Sequence, residues 1–465
     1  VTLTDISYLT PDERFSKKID TTVLQEKLIN IVHEIQEQYL EDSSPWVIAF
    51  SGGKDSTAVL QLIFVAIAEL PVERRRKEIH VLSNDTLVEN PKVVDFLDRQ
   101  LAKILDYGKS ELFAHNPRLF SVKKTTPKLD DTFWLNIIGK GYPSPNRWFR
   151  WCTERMKINP TNEYILQTVN KHGQAIIILG TRKDESTNRA NSMKQYEVSG
   201  VRLRKHSLPN AYVFAPIANI SNEEVWQYLM NYPNPWKSNN QELVDLYYQA
   251  YDNLQECPLV IDTTTPSCGN SRFGCWVCTV VDKDRSMQGM IVNGEDWMQP
   301  LLEIRNWLQE IRNDPKKREK QRRNKQDGIG PFTIETRKEI LERVLRAEVL
   351  VVNTLGEKYE FISLPELAAI QTQWNYDGHF GYSVREVYEN VKGGKIMIDD
   401  QNSQDERRRD EYKVLEQVCL EHGINPDHIK SLMEIERIKF RFLRRNNLFS
   451  DMRTKIEEFV KEANR

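Results

Sequence analysis

The chain has 465 residues, 39% hydrophobic and 28% charged, with a formal net charge of −2. That length predicts two or three domains with ample chain for a large core, and no apolar run approaches the ~18 residues of a membrane span or a secretory start. The near-neutral balance excludes a global pull toward nucleic acid, and six cysteines are too few for a disulfide scaffold. Clustered cysteines instead suggest a metal in a reducing cytoplasm, so a cytoplasmic protein with no membrane partner is expected.

In chain order, Leu24, Leu28, Ile31, Ile35 and Tyr39 recur at helical spacing and predict a helix over 21–41. Trp46 to Phe50 reads as a buried strand, Ser51 to Thr57 as a turn, and Ala58 to Ala68 as a packed helix. Ile79 to Leu82 predicts a second strand ending at Ser83-Asn84-Asp85-Thr86. Pro91 opens a helix with Val94, Leu97, Leu101 and Leu105 on one face. Glu111 to His115 predicts a third strand, and Ala175 to Leu179 a fourth that ends in Gly180. Ser221 and Glu224 match a capping box. Strands alternating with helices imply an α/β fold with a mainly parallel sheet, right-handed crossovers and ligands at the carboxyl ends of the strands.

Residues 116–160 are rich in Pro, Trp and charge and contain Asn146-Arg147-Trp148-Phe149-Arg150-Trp151-Cys152-Thr153. From about Trp297 the pattern becomes helical, with Leu301, Ile304 and Leu308 in register. A basic stretch over 316–325 leads to Gly328-Ile329-Gly330-Pro331, and a further helix is expected from Thr333 to about Val352. Residues 392–410 read as a mobile loop, and amphipathic helices that include the basic run 437–445 close the chain. The predicted division is residues 1–295, holding the nucleotide chemistry and the cysteine cluster, and 296–465, a helical region with basic stretches.

Two stretches carry chemistry. Ser51-Gly52-Gly53-Lys54-Asp55-Ser56-Thr57 runs from a strand into a helix. The glycines permit unusual dihedrals and close approach, the helix start adds unpaired N–H donors, and Lys54 adds a charge. This is a phosphate cradle, but not of the Walker kind, which needs Gly at Ile48 and Ser or Thr at Asp55. The second stretch is Cys268 through Cys275-Trp276-Val277-Cys278-Thr279. Cys275 and Cys278 are spaced to reach one metal, Cys268 is near enough to join them, and Cys152 is the best candidate for a fourth ligand. Spacing alone favours zinc while leaving a [4Fe–4S] cluster open. Cys257 and Cys419 read as ordinary buried cysteines.

Ser-Gly-Gly-Lys-Asp-Ser resembles the PP-loop of the N-type ATP pyrophosphatases and the PAPS reductases. Trp-Cys-Thr-x-Arg-x-Lys-Ile-x-Pro at 151–160 is similar to the Cys-Cys-x-x-Arg-Lys segment of the PAPS/APS reductases. Gly274-Cys275-Trp276-Val277-Cys278-Thr279 is similar to the Gly-Cys-x-x-Cys-Thr of their cluster-bearing members. Gly180-Thr181-Arg182-Lys183-Asp184-Glu185-Ser186 with Arg189 resembles their Gly-x-Arg-x-x-x-Ser-x-x-Arg stretch. Together with Asn84-Asp85-Thr86, the set over residues 20–295 looks most like the DndC family, the iron–sulfur ATP-pyrophosphatase subunits of the DNA phosphorothioation machinery.

That resemblance implies an adenine-nucleotide α-hydrolase-like domain with a helical C-terminal addition. It implies ATP and Mg²⁺ bound by Ser51, Gly52, Gly53, Lys54, Asp55, Ser56, Asp85, Arg182 and Arg189, with Lys54, Asp55 and Arg182 in catalytic roles. It further implies a [4Fe–4S] cluster on Cys152, Cys268, Cys275 and Cys278. The implied partners are DNA, a cysteine desulfurase as sulfur donor and other subunits of the phosphorothioation complex. Two departures stand out. Trp151 takes the place of one of the adjacent cysteines of the APS reductases, and the Glu-Cys-Gly-x-His cysteine of the reductases has no counterpart near Cys419-Leu420-Glu421-His422, which argues against a sulfonucleotide reductase. Arg202 and Arg204 are further candidate phosphate clamps, and Arg322, Arg323, Arg444 and Arg445 candidate DNA-backbone contacts. A tRNA-thiolating PP-loop enzyme and a non-catalytic, nucleotide-sensing, metal-stapled DNA-binding subunit are the alternatives.

Overall fold

The computed structural model describes residues 21–185, 202–249, 273–323, 326–356, 359–379, 381–396, 413–426, 428–429, 432–433 and 448–463. Arg189, Cys257, Cys268, the basic run 437–445 and most of the loop expected over 392–410 lie outside the described residues. The chain falls into two compact units. One comprises Val1–Phe133, Ser144–Arg312 and Leu350–Glu357, the other Trp134–Pro143, Asn313–Val349 and Lys358–Arg465.

The first unit is built on a six-stranded sheet of order β3-β2-β1-β4-β6-β5. Its strands are β1 (Trp46–Ala49), β2 (Ile79–Asn84), β3 (Phe120–Thr125), β4 (Ala175–Ile178), β5 (Arg204–Lys205) and β6 (Ala211–Phe214). All neighbours run parallel except β5, which runs antiparallel to β6. β1 and β4 are buried at every residue, and both are unbroken apolar runs, the pattern of strands covered on both faces. Trp46 pairs with Ile79 on one side and Ile176 on the other, so β1 is the strand at which the sheet order reverses. In an open parallel sheet the crevice beyond the carboxyl end of such a strand is where ligands bind.

Helix α1 (Thr21–Glu41) occupies the span predicted from its apolar spacing and packs on α2 (Lys54–Ala68), which follows β1. The helix Asn222–Asn231 covers another side of α2 and begins with the expected capping box between Ser221 and Glu224. Glu224 also accepts from Lys27 at 2.6 Å. Burial opposes its charge, but the bonds from Lys27 and the Ser221 N–H outweigh burial and hold its carboxyl below the ordinary value of 4.5.

The third strand departs from expectation. Residues Gly108–Leu112 form a π-helical turn continuing α3 (Pro91–Tyr107), and the strand is Phe120–Thr125 instead. Leu112 and Phe113 are buried, but as packing at the end of α3 rather than as ladder residues. β3 is an edge strand, and its polar Ser-Val-Lys-Lys-Thr run is what such an edge tolerates.

The described part of the second unit is mainly helical, with most of the helix Ile334–Leu355, expected from about Thr333 to Val352, and the helices Leu364–Tyr376 and Val384–Lys392. Buried Arg337 donates to Phe332 O at 2.9 Å and Gly139 O at 3.1 Å and pairs with Asp377 at 2.9 Å. Trp374 Nε1 donates to Ile138 O at 2.8 Å. Much of the basic stretch 316–325 is used internally. Lys317 pairs with Glu339 at 2.6 Å, buried Arg318 donates to Gly330 O, and Arg323 donates to Lys140 O with its guanidinium 4.6 Å from the centre of the Tyr142 ring.

Candidate active site

The loop between β1 and α2 sits at the carboxyl end of the reversing strand. Gly52 has φ +72°, the left-handed region, and a Cβ there would press on Leu97 Cδ1 at 3.1 Å. Gly53 caps α2 without a side-chain bond, leaving the first-turn N–H groups of the helix to other partners. Ser51 Oγ and Ser56 Oγ lie 3.1 Å apart, and Ser56 Oγ donates to Gly53 O at 2.9 Å, which fixes the turn from inside. A Cβ on Gly180 would lie 2.8 Å from Asp55 C and 3.0 Å from Ser56 N. Only glycine lets the end of β4 pack against the start of α2.

That packing brings the expected Arg182 to Asp55. Arg182 Nε donates to Asp55 Oδ1 at 2.6 Å, and Lys54 Nζ donates to Asp55 Oδ2 at 2.5 Å. The three side chains are 0%, 6% and 7% exposed for Arg182, Asp55 and Lys54. Arg182 Nη1 also stands 3.8 Å from the exposed Asp184 carboxylate, so two cations and two carboxylates meet next to the positive end of a helix. Arg182 Nη1 donates to Ile220 O at 3.4 Å, while Nη2 is buried with no hydrogen-bond partner among the described residues. A buried N–H donor of a cation is costly to leave unpaired, and an anion would satisfy it.

Sequence reasoning missed Tyr247. Its hydroxyl accepts the Lys54 N–H at 3.3 Å, and a Cβ on Gly53 would touch it at 3.4 Å. The ring packs edge-on against Trp226 and Phe273, each with centroids 4.9 Å away. The helix that carries it, Asn240–Gln249, is anchored by Asn240 Nδ2, which donates to Leu229 O at 2.8 Å. A tyrosine two hundred residues from the loop carries no sequence signal of this contact.

Ser51, Asp85, Glu89, Leu97, Lys124 and Phe273 line a cleft beside the loop. Asp85 stands at the end of β2 as expected. One carboxylate oxygen accepts the Leu87 N–H at 2.8 Å, bracing a residue with φ +64°, and the other meets Lys124 Nζ at 3.0 Å. Lys124 also pairs with Asp98 at 2.9 Å. Burial works against its charge, but Asp98 and Asp85 outweigh that and raise its pKa. Lys124 was missed with its strand, β3.

The cysteine turn adjoins this cleft. Glu89 and Cys275 form an antiparallel bridge, Trp276 N–H donates to Val88 O at 2.9 Å, and Cys278 N–H donates to Cys275 O at 2.9 Å. Cys275 Sγ lies 3.3 Å from Thr86 Oγ1 and 3.7 Å from Glu89 Oε1, and Lys157 Nζ is 3.4 Å from that same oxygen. Burial, with the Glu89 charge adding to it, pushes the Cys275 thiol well above its ordinary value of 9.0. Among the described residues no group of three or more His, Cys, Asp or Glu converges as metal ligands would. The described thiols therefore do not by themselves fit a closed ligand set, and the Cys268 position lies outside the described residues.

The turn is held from behind by Arg305 and Arg312. Arg305, fully buried, donates to Cys278 O at 2.8 Å, Asp282 O at 3.0 Å and Val281 O. Arg312 donates to Pro145 O and Thr279 O, both at 2.9 Å. Of the other candidate clamps, Arg202 turns away. It donates to Glu34 O at 3.2 Å and pairs with Glu37 at 3.1 Å on α1, and Arg204 lies on β5.

A family model, the phosphoadenosine phosphosulfate reductase domain, matches residues 45–281, just over half of the chain. The chain belongs to the phosphoadenosine phosphosulfate reductase domain family. The matched span runs from β1 to the cysteine turn and so contains the whole cradle. It is a PP-loop, nucleotide-using domain of that family. The chain is 25% identical over 253 residues to an uncharacterized protein of Methanocaldococcus jannaschii, covering 54% of this chain and 40% of that relative's length. Among solved structures it is similar to the phosphoadenylyl-sulfate reductase of Candida auris, at 14% identity and TM-score 0.30, over 52% of this chain and 97% of that one. It is also similar to the FMN adenylyltransferase of Candida glabrata, at 11% identity and TM-score 0.30, over 52% of this chain and 66% of that one. No described helix is long and apolar enough to cross a membrane.

Proposed function

We propose that the protein incorporates sulfur into the DNA backbone in an ATP-dependent reaction, phosphorothioation. The observation that carries the reading is the buried Lys54–Asp55–Arg182 group at the end of β1, a charge arrangement suited to a pyrophosphate that leaves. A non-bridging oxygen of a DNA phosphodiester attacks the α-phosphorus of ATP. The bond to the β-phosphate breaks, giving pyrophosphate and a DNA-phosphate–AMP anhydride. Hydrosulfide, freed from a persulfide borne by a cysteine desulfurase by a thiol reductant that is itself oxidised to the disulfide, then attacks the DNA phosphorus, and AMP leaves with the original oxygen.

In this reading the Gly53–Ser56 turn and Lys54 hold the β,γ-phosphates, Arg182 turns its unpartnered N–H to the developing negative charge, and Asp55 keeps both cations in place. Mg²⁺ supplied with the nucleotide neutralises phosphate charge, with Asp85, which lines the cleft beside the loop, the candidate carboxylate. Cys152, Cys268, Cys275 and Cys278 are proposed to hold a [4Fe–4S] cluster. Support for that is the Cys275–Cys278 turn and its Arg305 clamp, and no step above passes through a cluster. The remaining parts of the proposal are the division at residues 295–296, the other subunits of a phosphorothioation complex as partners, and a cytoplasmic setting.

The test is mass spectrometry of digested DNA from cells with and without the protein. Phosphorothioate dinucleotides that vanish on deletion and fail to return with Lys54→Ala support the reading, and their persistence in the deletion contradicts it. Iron and sulfide analysis of anaerobically purified protein, with single Cys→Ser variants, tests the cluster. Four irons lost with Cys152→Ser, and retained in Cys419→Ser, is the expected result, and a single zinc would reject it.

A further inference from the structure

We infer that the turn Asn146–Arg150 is a DNA-contacting finger, with Trp148 stacking on an unstacked base and Arg147 and Arg150 meeting the flanking phosphates. The inference deepens the proposed function and rests on DNA being the substrate. Trp148 is 95% exposed, a large apolar surface left in water, and Phe149 beside it is 44% exposed. Exposure of this kind in a loose loop would mean little. Here the turn is rigid. Asn146 Oδ1 accepts the N–H groups of Trp148 at 2.8 Å and Phe149 at 2.9 Å, and Asn146 and Phe149 exchange two backbone bonds of 3.2 Å.

The base of the turn is fixed as firmly. Pro145 O accepts from Thr279 Oγ1 at 2.7 Å and from Arg312 at 2.9 Å, so the finger is tied to the cysteine turn. A few residues on, Met156 O accepts from Asn84 Nδ2 at 3.2 Å, which ties the same segment to the end of β2 beside the cleft. The indole is thus held out from a rigid support next to the nucleotide end of the sheet.

The chemistry of the tip selects the occupant. Arg147 and Arg150 flank the aromatic pair in the chain, and Arg147 is 69% exposed, its one close acid among the described residues being the exposed Asp282 at 3.7 Å. So exposed a pair is weak and yields readily to phosphate. An aromatic platform with flanking cations is the sequence-tolerant way to hold a nucleic acid strand, because every base offers a π-face. An apolar protein groove would also take an exposed tryptophan, but it would leave the two arginines unused.

The test uses the full-length protein and labelled single-stranded and duplex DNA of one sequence, read by fluorescence anisotropy over a salt series. Trp148→Ala should weaken single-strand binding on the order of tenfold with an unchanged salt slope, and Trp148→Phe should recover most of it. Arg147→Ala with Arg150→Ala should flatten the slope by roughly 1.4 on single strands, two phosphates' worth. Pyrophosphate release from ATP without DNA should stay at the wild-type rate in all of these variants, showing that the fold and cradle are intact. Equal DNA affinity in wild type and Trp148→Ala overturns the finger while leaving the DNA substrate standing. Tighter binding of RNA of the same sequence overturns the choice of DNA. No DNA binding by the wild type itself contradicts the reading on which the finger rests.

Discussion

Arg182 and Arg305 are both fully buried, both in the sheet-bearing unit, and they do different work. Arg305 uses every nitrogen. Nε meets Cys278 O, Nη2 meets Val281 O, and Nη1 meets Asp282 O with Asn306 and Gln309. All but two of those acceptors are carbonyls of one turn, so Arg305 shapes backbone. Arg182 spends Nε on Asp55, gives Nη1 a long bond to Ile220 O and a 3.8 Å pair with exposed Asp184, and leaves Nη2 without a partner among the described residues. Saturation marks a structural cation, and an orphaned donor marks a cation arranged for something that arrives later. Burial alone does not separate the two.

The largest expected effect breaks the comparison by function. Arg182→Met should lower the rate of pyrophosphate release on the order of 10²–10³-fold, the scale of removing one donor from a preorganised anion site. Stability should change little, since Asp55 keeps Lys54 at 2.5 Å. A melting temperature that collapses with Arg182→Met, as measured by circular dichroism, would make Arg182 structural after all.

Arg305→Met should show the converse. It removes the donors to Cys278 O, Val281 O and Asp282 O, which are only partly buried and partly reachable by water, so an unfolding penalty of about 1–3 kcal/mol is expected. Urea titration checks it, and turnover per folded molecule in the cradle should fall far less than with Arg182→Met.

Tyr247→Phe sharpens the same contrast at the cradle. The hydroxyl accepts the Lys54 N–H at 3.3 Å, so it competes with an incoming phosphate oxygen. Removing it should tighten nucleotide binding about two- to fivefold, from the ~0.5–1.5 kcal/mol net worth of a hydrogen bond. Calorimetry reads this directly, and weaker binding would show that the hydroxyl helps hold the nucleotide.

Glu224 gives the smallest effect. Its folded carboxyl is held below 4.5, so its contribution is complete above that value and is lost as pH falls through the lower folded value. Glu224→Gln should therefore cost about 1 kcal/mol near pH 7, and the gap to wild type should close as pH drops below 4.5. A gap that is constant with pH would remove the charge from the account.

The central strands and the cradle were legible because unbroken apolar runs, paired glycines and a capping box act locally. β3 was not legible, because an edge strand reads as polar, while Leu112 and Phe113 are buried for another reason. Lys124 was lost with it. The Gly-Thr-Arg stretch singles out Arg182 in the sequence, and its bond to Asp55 rests on Gly180, whose close approach a sequence does not display. Tyr247 and Arg305 act across long sequence separations, where spacing carries nothing. The basic stretch 316–325 is a candidate DNA contact by sequence, and Lys317, Arg318 and Arg323 also serve the second unit's own packing.

The central claim is that Lys54, Asp55 and Arg182 form a site for pyrophosphate departure. Purified protein should be incubated with ATP and Mg²⁺ without DNA, so that water takes the place of the DNA oxygen at the α-phosphorus, and the products separated by anion-exchange chromatography. The account predicts AMP and pyrophosphate in equal amounts, with production falling on the order of 10²-fold in Lys54→Ala. ADP and orthophosphate as the main products would contradict it.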